Sequence, residues 1–322
     1  MLAQFKITFV SAMNKKIIGA LVALTLITPA TSHALTASLK NNTQAVPTLA
    51  ILDTAVDTSI PLFKDKIIYE VCILEWTTCP NGTNFMEGPG SATLPYNSII
   101  KSGFSHGTQM VSAALQTNPN MNIVFVRVIG QNINFDRQIT TELTLVNALN
   151  WVYANKDKFN IQAVAMSQGD NNPSGLSDYC PSTPKTQSLI QQLSNSQIPS
   201  FFAIGNRSNY KRIDWPACLP ESMAIGAGTK NGIESYNNFD QSRVDFIANG
   251  RATLILPGNT VVAGSGTSIA TQVAAAQWIV LKTAKPDLTM SQIIDLFAKT
   301  SMPIKGKQGT GKLIDLKKAL NG

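Results

Sequence analysis

Thr48-Leu49-Ala50-Ile51-Leu52-Asp53-Thr54 is a short aliphatic run that stops on an acid and a small polar residue. Such a run, apolar at every position, is how a strand buried on both faces reads. Further runs of the same kind recur at Ile67–Val71, Asn122–Ile129, Gln162–Met166, Ser200–Ile204 and Met223–Ile225. Between and after them lie stretches of helical character: Gly107–Leu115, then Leu145, Ala148, Leu149 and Val152 at helical spacing, then Thr186–Leu193 and Ile269–Leu281. Strand and helix alternating in this way predict an α/β fold, a three-layer, doubly wound, mostly parallel sheet with right-handed crossovers. Sites in such sheets gather beyond the carboxyl ends of strands, and Asp53, Ser167 and Asn206 each follow an apolar run closely.

Upstream, Met13 opens a basic start, Asn14-Lys15-Lys16, followed by an apolar run from Ile17 to Ile27 and the small residues Ser32 and Ala34. Residues 1–34 read as a signal peptide cut after Ala34, the run being too short for the roughly 20 residues that span a bilayer. The product is expected to be exported, to the periplasm or the extracellular space, and no second segment is long enough for a membrane span. Residues 35–322 are expected to form one domain, since no linker, charge block or repeat divides them. The formal charge of +7, three of whose lysines lie in the first 34 residues, is too mild to argue for nucleic acid.

The four cysteines, Cys72, Cys79, Cys180 and Cys218, are an even set in an export compartment that permits disulfides. Proximity favours Cys72 with Cys79, and Cys180 would then tie a Pro/Ser-rich loop to the turn at Cys218, although spacing alone leaves the connectivity open. No Cys-x-x-Cys pair suggests zinc. No carboxylate cluster has calcium-loop spacing either, so no metal or cofactor is expected, apart from a structural calcium held by scattered loop oxygens.

Beyond residue 34 the chain holds a single histidine, His106, which stands between Asp53 and Ser268 in sequence. Imidazole is the side chain that takes up a proton near pH 7 while neutral, so a hydrolase built on this chain has one candidate general base. Ser268 directly precedes the helical stretch Ile269–Leu281, where the unpaired N–H groups and dipole of a helix start favour developing negative charge. Two rival motifs fail. Gly103-Phe104-Ser105-His106-Gly107 fits a nucleophile elbow, but that fold needs a histidine downstream of its serine's helix and none follows position 106. Gly306 to Lys312 fits most of a phosphate loop, yet Leu313 stands where a magnesium-binding Ser or Thr belongs; it reads as a basic turn before a final helix.

With their neighbours these residues resemble the subtilisin-like serine protease family, from about residue 48 to the C-terminus. Ala50-Ile51-Leu52-Asp53-Thr54-Ala55-Val56-Asp57 resembles the family's strand-Asp-Thr-Gly motif, with Ala55 where glycine is usual. His106-Gly107-Thr108-Gln109-Met110-Val111 resembles its histidine motif, and Ala203-Ile204-Gly205-Asn206 the segment that supplies an oxyanion-hole asparagine. Gly266-Thr267-Ser268-Ile269-Ala270 is similar to the serine motif, with Ile269 in place of methionine and Gln272 in place of proline. Ala165-Met166-Ser167-Gln168-Gly169 resembles the edge that pairs with substrate, and Pro286-Asp287-Leu288-Thr289 the approach to the C-terminal helix.

The resemblance implies a subtilisin-like fold and a secreted serine endopeptidase working through an acyl-enzyme. Asp53, His106 and Ser268 would be the triad, Asn206 the oxyanion donor, and Ser167, Gln168 and Gly169 the edge that holds an extended polypeptide substrate. Residues 35–52 hold no recognisable prodomain, which leaves a place for an inhibitor or folding helper in trans. The same residues admit two alternatives: an inactive scaffold that binds, or an esterase or peptide transferase using the triad.

Overall fold

The apolar runs pair side by side in one sheet. The computed structural model describes residues 45–100, 103–130, 140–169 and 180–322; the predicted signal peptide and the predicted domain start lie outside them. The strands are β1 (Thr48–Asp53), β2 (Ile67–Ile73), β3 (Phe85–Glu87), β4 (Asn122–Arg127), β5 (Ile161–Met166), β6 (Ser200–Ala203), β7 (Ser222–Thr229), β8 (Gly232–Ile233), β9 (Phe246–Asn249), β10 (Arg251–Leu256), β11 (Thr260–Ser265), β12 (Met302–Gly306) and β13 (Gly309–Leu313). The helices are α1 (Tyr96–Ile99), α2 (His106–Thr117), α3 (Glu142–Asn155), α4 (Pro184–Asn195), α5 (Thr267–Ala284), α6 (Met290–Thr300) and α7 (Leu316–Asn321).

The main sheet runs β12-β13-β9-β7-β6-β5-β1-β4-β2-β3, with β8 paired to β7. From β2 across to β9 the neighbours are parallel; β3, β8 and β12 join antiparallel. β1 lies in the middle, with Asp53 opposite Arg127 of β4 and Leu52 opposite Met166 of β5. Side chains alternate between two cores. Leu49 and Ile51 join residues of α2, α5 and α6 on one face, while Ala50 and Leu52 join residues of α3 and α4 on the other. This is a three-layer α/β architecture, with helices on both faces of a largely parallel sheet.

All six predicted strands are present. The strands missed by the apolar-run criterion are short or peripheral: β9 has four residues, and β12 and β13 form an edge hairpin whose residues are mostly outside the core. The basic turn read at Gly306–Lys312 is the bend of that hairpin together with most of β13, and α7 follows it. Cys72 is bonded to Cys79 and Cys180 to Cys218, with Cα separations of 5.9 and 5.7 Å. Among the described residues no helix is long and apolar enough to cross a membrane.

Candidate active site

Asp53 ends β1 fully buried, and His106 begins α2. Imidazole Nδ1 lies 2.8 Å from Asp53 Oδ1, which also accepts the Thr54 N–H at 2.7 Å. The Thr54 hydroxyl donates to the Phe104 carbonyl and accepts the N–H of Gly107, both at 2.9 Å, so it straps the strand end to the helix start that carries the histidine. A Cβ on Gly107 would stand 2.5 Å from the Ala55 carbonyl oxygen, which is why a glycine follows His106.

Ser268 is the second residue of α5, whose N-cap is Gly266 with no side-chain cap. A capping role for Ser268 is thereby excluded, and its backbone N–H belongs to the first turn, where no carbonyl of the same helix can accept it. Its hydroxyl donates to the Ser167 carbonyl at 3.2 Å, while the Ser167 hydroxyl donates to the Ser268 carbonyl at 2.9 Å. Gln272, one turn along α5 and fully buried, donates from Nε2 to the Ser167 hydroxyl at 2.9 Å. The glutamine therefore replaces proline as a polar strut between α5 and the segment after β5.

Asn206 follows Gly205, whose φ of +100° and neighbours exclude a side chain: a Cβ there would meet Asn238 Nδ2 and Asp214 Oδ2 at 2.3 Å. Asn206 Oδ1 accepts both the N–H and the hydroxyl of Thr267, at 2.9 and 3.0 Å, which leaves Nδ2 as the end available to a ligand. The β5–β6 ladder stops at Met166 opposite Phe202, so Ser167, Gln168 and Gly169 continue beyond the paired part of the strand. The side chain of Gln168 turns to His106, with Nε2 2.8 Å from Nδ1.

His106, Ser268, Asn206 and Ser167 to Gly169 all line one cleft of about 320 Å³; Asp53 stands behind the imidazole. Two further lining residues escaped the sequence reading, Arg207 and Asp214. Arg207 Nη2 donates to Asp214 Oδ1 at 2.6 Å and Asn238 Nδ2 to the same oxygen at 2.9 Å. No motif marks Asp214; its place beside Gly205 comes from the course of the loop after β6. Among the described residues no group of three His, Cys, Asp or Glu is placed to hold a metal ion.

Burial pushes the Asp214 carboxyl from 3.8 up to about 6, against the opposing pull of Arg207. A carboxyl raised in the folded state binds its proton there at a pH where the unfolded chain has lost it. Its contribution to stability is therefore greatest below its ordinary range and falls as pH rises to about 6. Asp214→Asn has no such titration, so its stability relative to the parent should rise by about 1–3 kcal/mol between acid and neutral pH. Urea midpoints of the two proteins across that interval test this; a constant difference would refute it.

The sequence model of the subtilase family matches residues 45–316. Subtilisin amylosacchariticus of Bacillus subtilis subsp. amylosacchariticus is 23% identical over 266 residues, which is 79% of this chain and 60% of that protein. The chain thus spans 60% of the length of that relative. Among solved structures, a protease of Pseudoalteromonas arctica superposes with a TM-score of 0.67 at 19% identity, covering 86% of this chain and 90% of its own. The patellamide maturation protease PatA superposes with a TM-score of 0.62 at 17% identity, covering 85% and 95%. At these identities the structural likeness speaks to the fold.

Proposed function

The chain belongs to the subtilase family, and from that premise we propose that it is an exported serine endopeptidase that cleaves polypeptides through an Asp53-His106-Ser268 triad. The observation that carries this reading is the 2.8 Å contact of His106 Nδ1 with a buried aspartate, in a cleft that also holds Ser268 and Asn206. With Nδ1 turned to Asp53, Nε2 on the far side of the ring is the atom left to take a proton. The Ser268 hydroxyl, which rests on the Ser167 carbonyl and lines the same cleft, is the group whose proton that base would take. Attack on a peptide carbonyl then yields the acyl-enzyme, with His106 passing the proton to the leaving amine and Asp53 stabilising the imidazolium.

Asn206 Nδ2 and the Ser268 N–H are the donors for the oxyanion. The backbone of Ser167 to Gly169, which runs on past the β5–β6 ladder, takes an extended substrate as an added strand. The chemistry is supplied by the chain's own residues and needs no cofactor. Two disulfides fit an oxidising compartment outside the cytoplasm.

The test is a fluorophosphonate probe on the purified protein, with the labelled residue located by peptide mass spectrometry and casein hydrolysis measured alongside. Labelling at Ser268 together with hydrolysis is expected; a folded protein that is neither labelled nor active would sink the proposal. Asn206→Ala should still label, but with turnover down about 10²–10³-fold, the size of effect such a donor has in subtilisin.

A further inference from the structure

The Nδ1 atom of His106 has two neighbours at hydrogen-bonding distance, Asp53 Oδ1 and the Gln168 side-chain amide, both at 2.8 Å. A ring nitrogen of neutral imidazole carries either a hydrogen or a lone pair. A carboxylate only accepts, so the contact with Asp53 requires the hydrogen on Nδ1. An amide NH2 pointed at the same N–H would set donor against donor. The two ends of the amide exchange by a half-turn about its terminal bond, and the oxygen then meets Nδ1–H as a second acceptor.

Two more observations give that acceptor a task. Asp53 Oδ2 is buried and has no hydrogen-bond partner among the described residues, so the aspartate grips the ring through Oδ1 alone. Gln168 is itself only 7% exposed, and its neighbour Ser167 is fastened to both Ser268 and Gln272, so the amide is delivered from an anchored segment. Among the described residues the charged groups at the imidazole and its cleft are Asp53 from the end of β1 and the Arg207–Asp214 pair.

We propose that Gln168 is a positioning residue for His106: its amide oxygen shares the Nδ1 hydrogen with Asp53 and holds the tautomer in which Nε2 is free to act as base. The role deepens the serine-protease reading given above and rests on it. It also assigns the Gln168 side chain to the histidine, leaving the substrate edge to its backbone.

The chain contains two histidines, His33 and His106, so ¹⁵N-histidine NMR resolves the ring directly, with His106→Ala identifying the signal. In the wild type the neutral ring is expected to carry its hydrogen on Nδ1. Gln168→Leu, which removes an acceptor from the charged form, should move the titration midpoint of His106 to lower pH. Gln168→Glu, which adds an opposite charge, should move it to higher pH by about one unit. The acid limb of the pH profile for fluorophosphonate labelling should follow each shift. A neutral wild-type ring protonated on Nε2 would overturn the proposal, as would midpoints that do not move in opposite directions in the two variants. If the midpoints move as described while wild-type Ser268 resists the probe, the hydrogen bond stands and the protease reading alone falls.

Discussion

His106→Ala should lower turnover by on the order of 10⁶, the loss that follows removal of the histidine from subtilisin's own triad. No second imidazole lies in the described residues to substitute for it, and at neutral pH no other cleft group combines a neutral resting state with the capacity to accept the Ser268 proton. The substitution leaves Asn206, the start of α5 and the substrate edge in place, so a residue of catalysis from the oxyanion donors should survive. The cost in stability is expected to be modest. Asp53 loses one hydrogen bond, worth about 1–3 kcal/mol when a buried acceptor is left short, but keeps the Thr54 N–H. Casein hydrolysis, with circular dichroism to establish the fold, checks this; a folded variant with unchanged hydrolysis would dismiss the triad and favour a binding scaffold.

The largest stability effect is expected at Trp278, on α5, the helix that carries Ser268. Trp278 is 1% exposed and meets Phe201 of β6 and Phe297 of α6 edge to face, at centroid distances of 6.0 and 6.3 Å. It therefore joins α5, the sheet and α6 through one side chain. Trp278→Ala should cost about 3–5 kcal/mol, combining lost apolar burial with a cavity that close-packed neighbours fill only partly. The indole N–H has no partner among the described residues, so no hydrogen bond is lost to offset or enlarge that figure. In a domain of this size the melting temperature should fall on the order of 10 °C, as scanning calorimetry would show. The folded fraction should still label at Ser268, because α5 is also packed through Ile269, Ala270 and Ala274. A melting temperature unchanged by the substitution would refute the packing argument.

The sheet was readable because its central strands are buried on both faces. β1, β4 and β5 carry apolar side chains into two cores at once, which leaves long unbroken hydrophobic runs. β12 and β13 serve one side of an edge hairpin and are mixed in polarity, so they left no such trace. The helix around Gly107–Leu115 was legible from the small and apolar residues on its buried face, though its first residue, His106, was set by the strap from Thr54.

The candidate site divides along the same line. The chain by itself pointed to the candidate reacting groups: one histidine beyond residue 34, an acid closing a buried strand, a serine opening a small-residue helix, and an asparagine after a glycine. These are features of type and neighbourhood, which a linear pattern carries. Only the tertiary structure decided which atoms meet. Gln168 reaches His106 across 62 positions and Gln272 reaches Ser167 across 105, while Asp214 turns back against Gly205. Such contacts depend on strand register, on helix placement to within an ångström and on a choice of side-chain rotamer. None of these is encoded in a local run of residues, because each is settled by the packing of the whole fold at once.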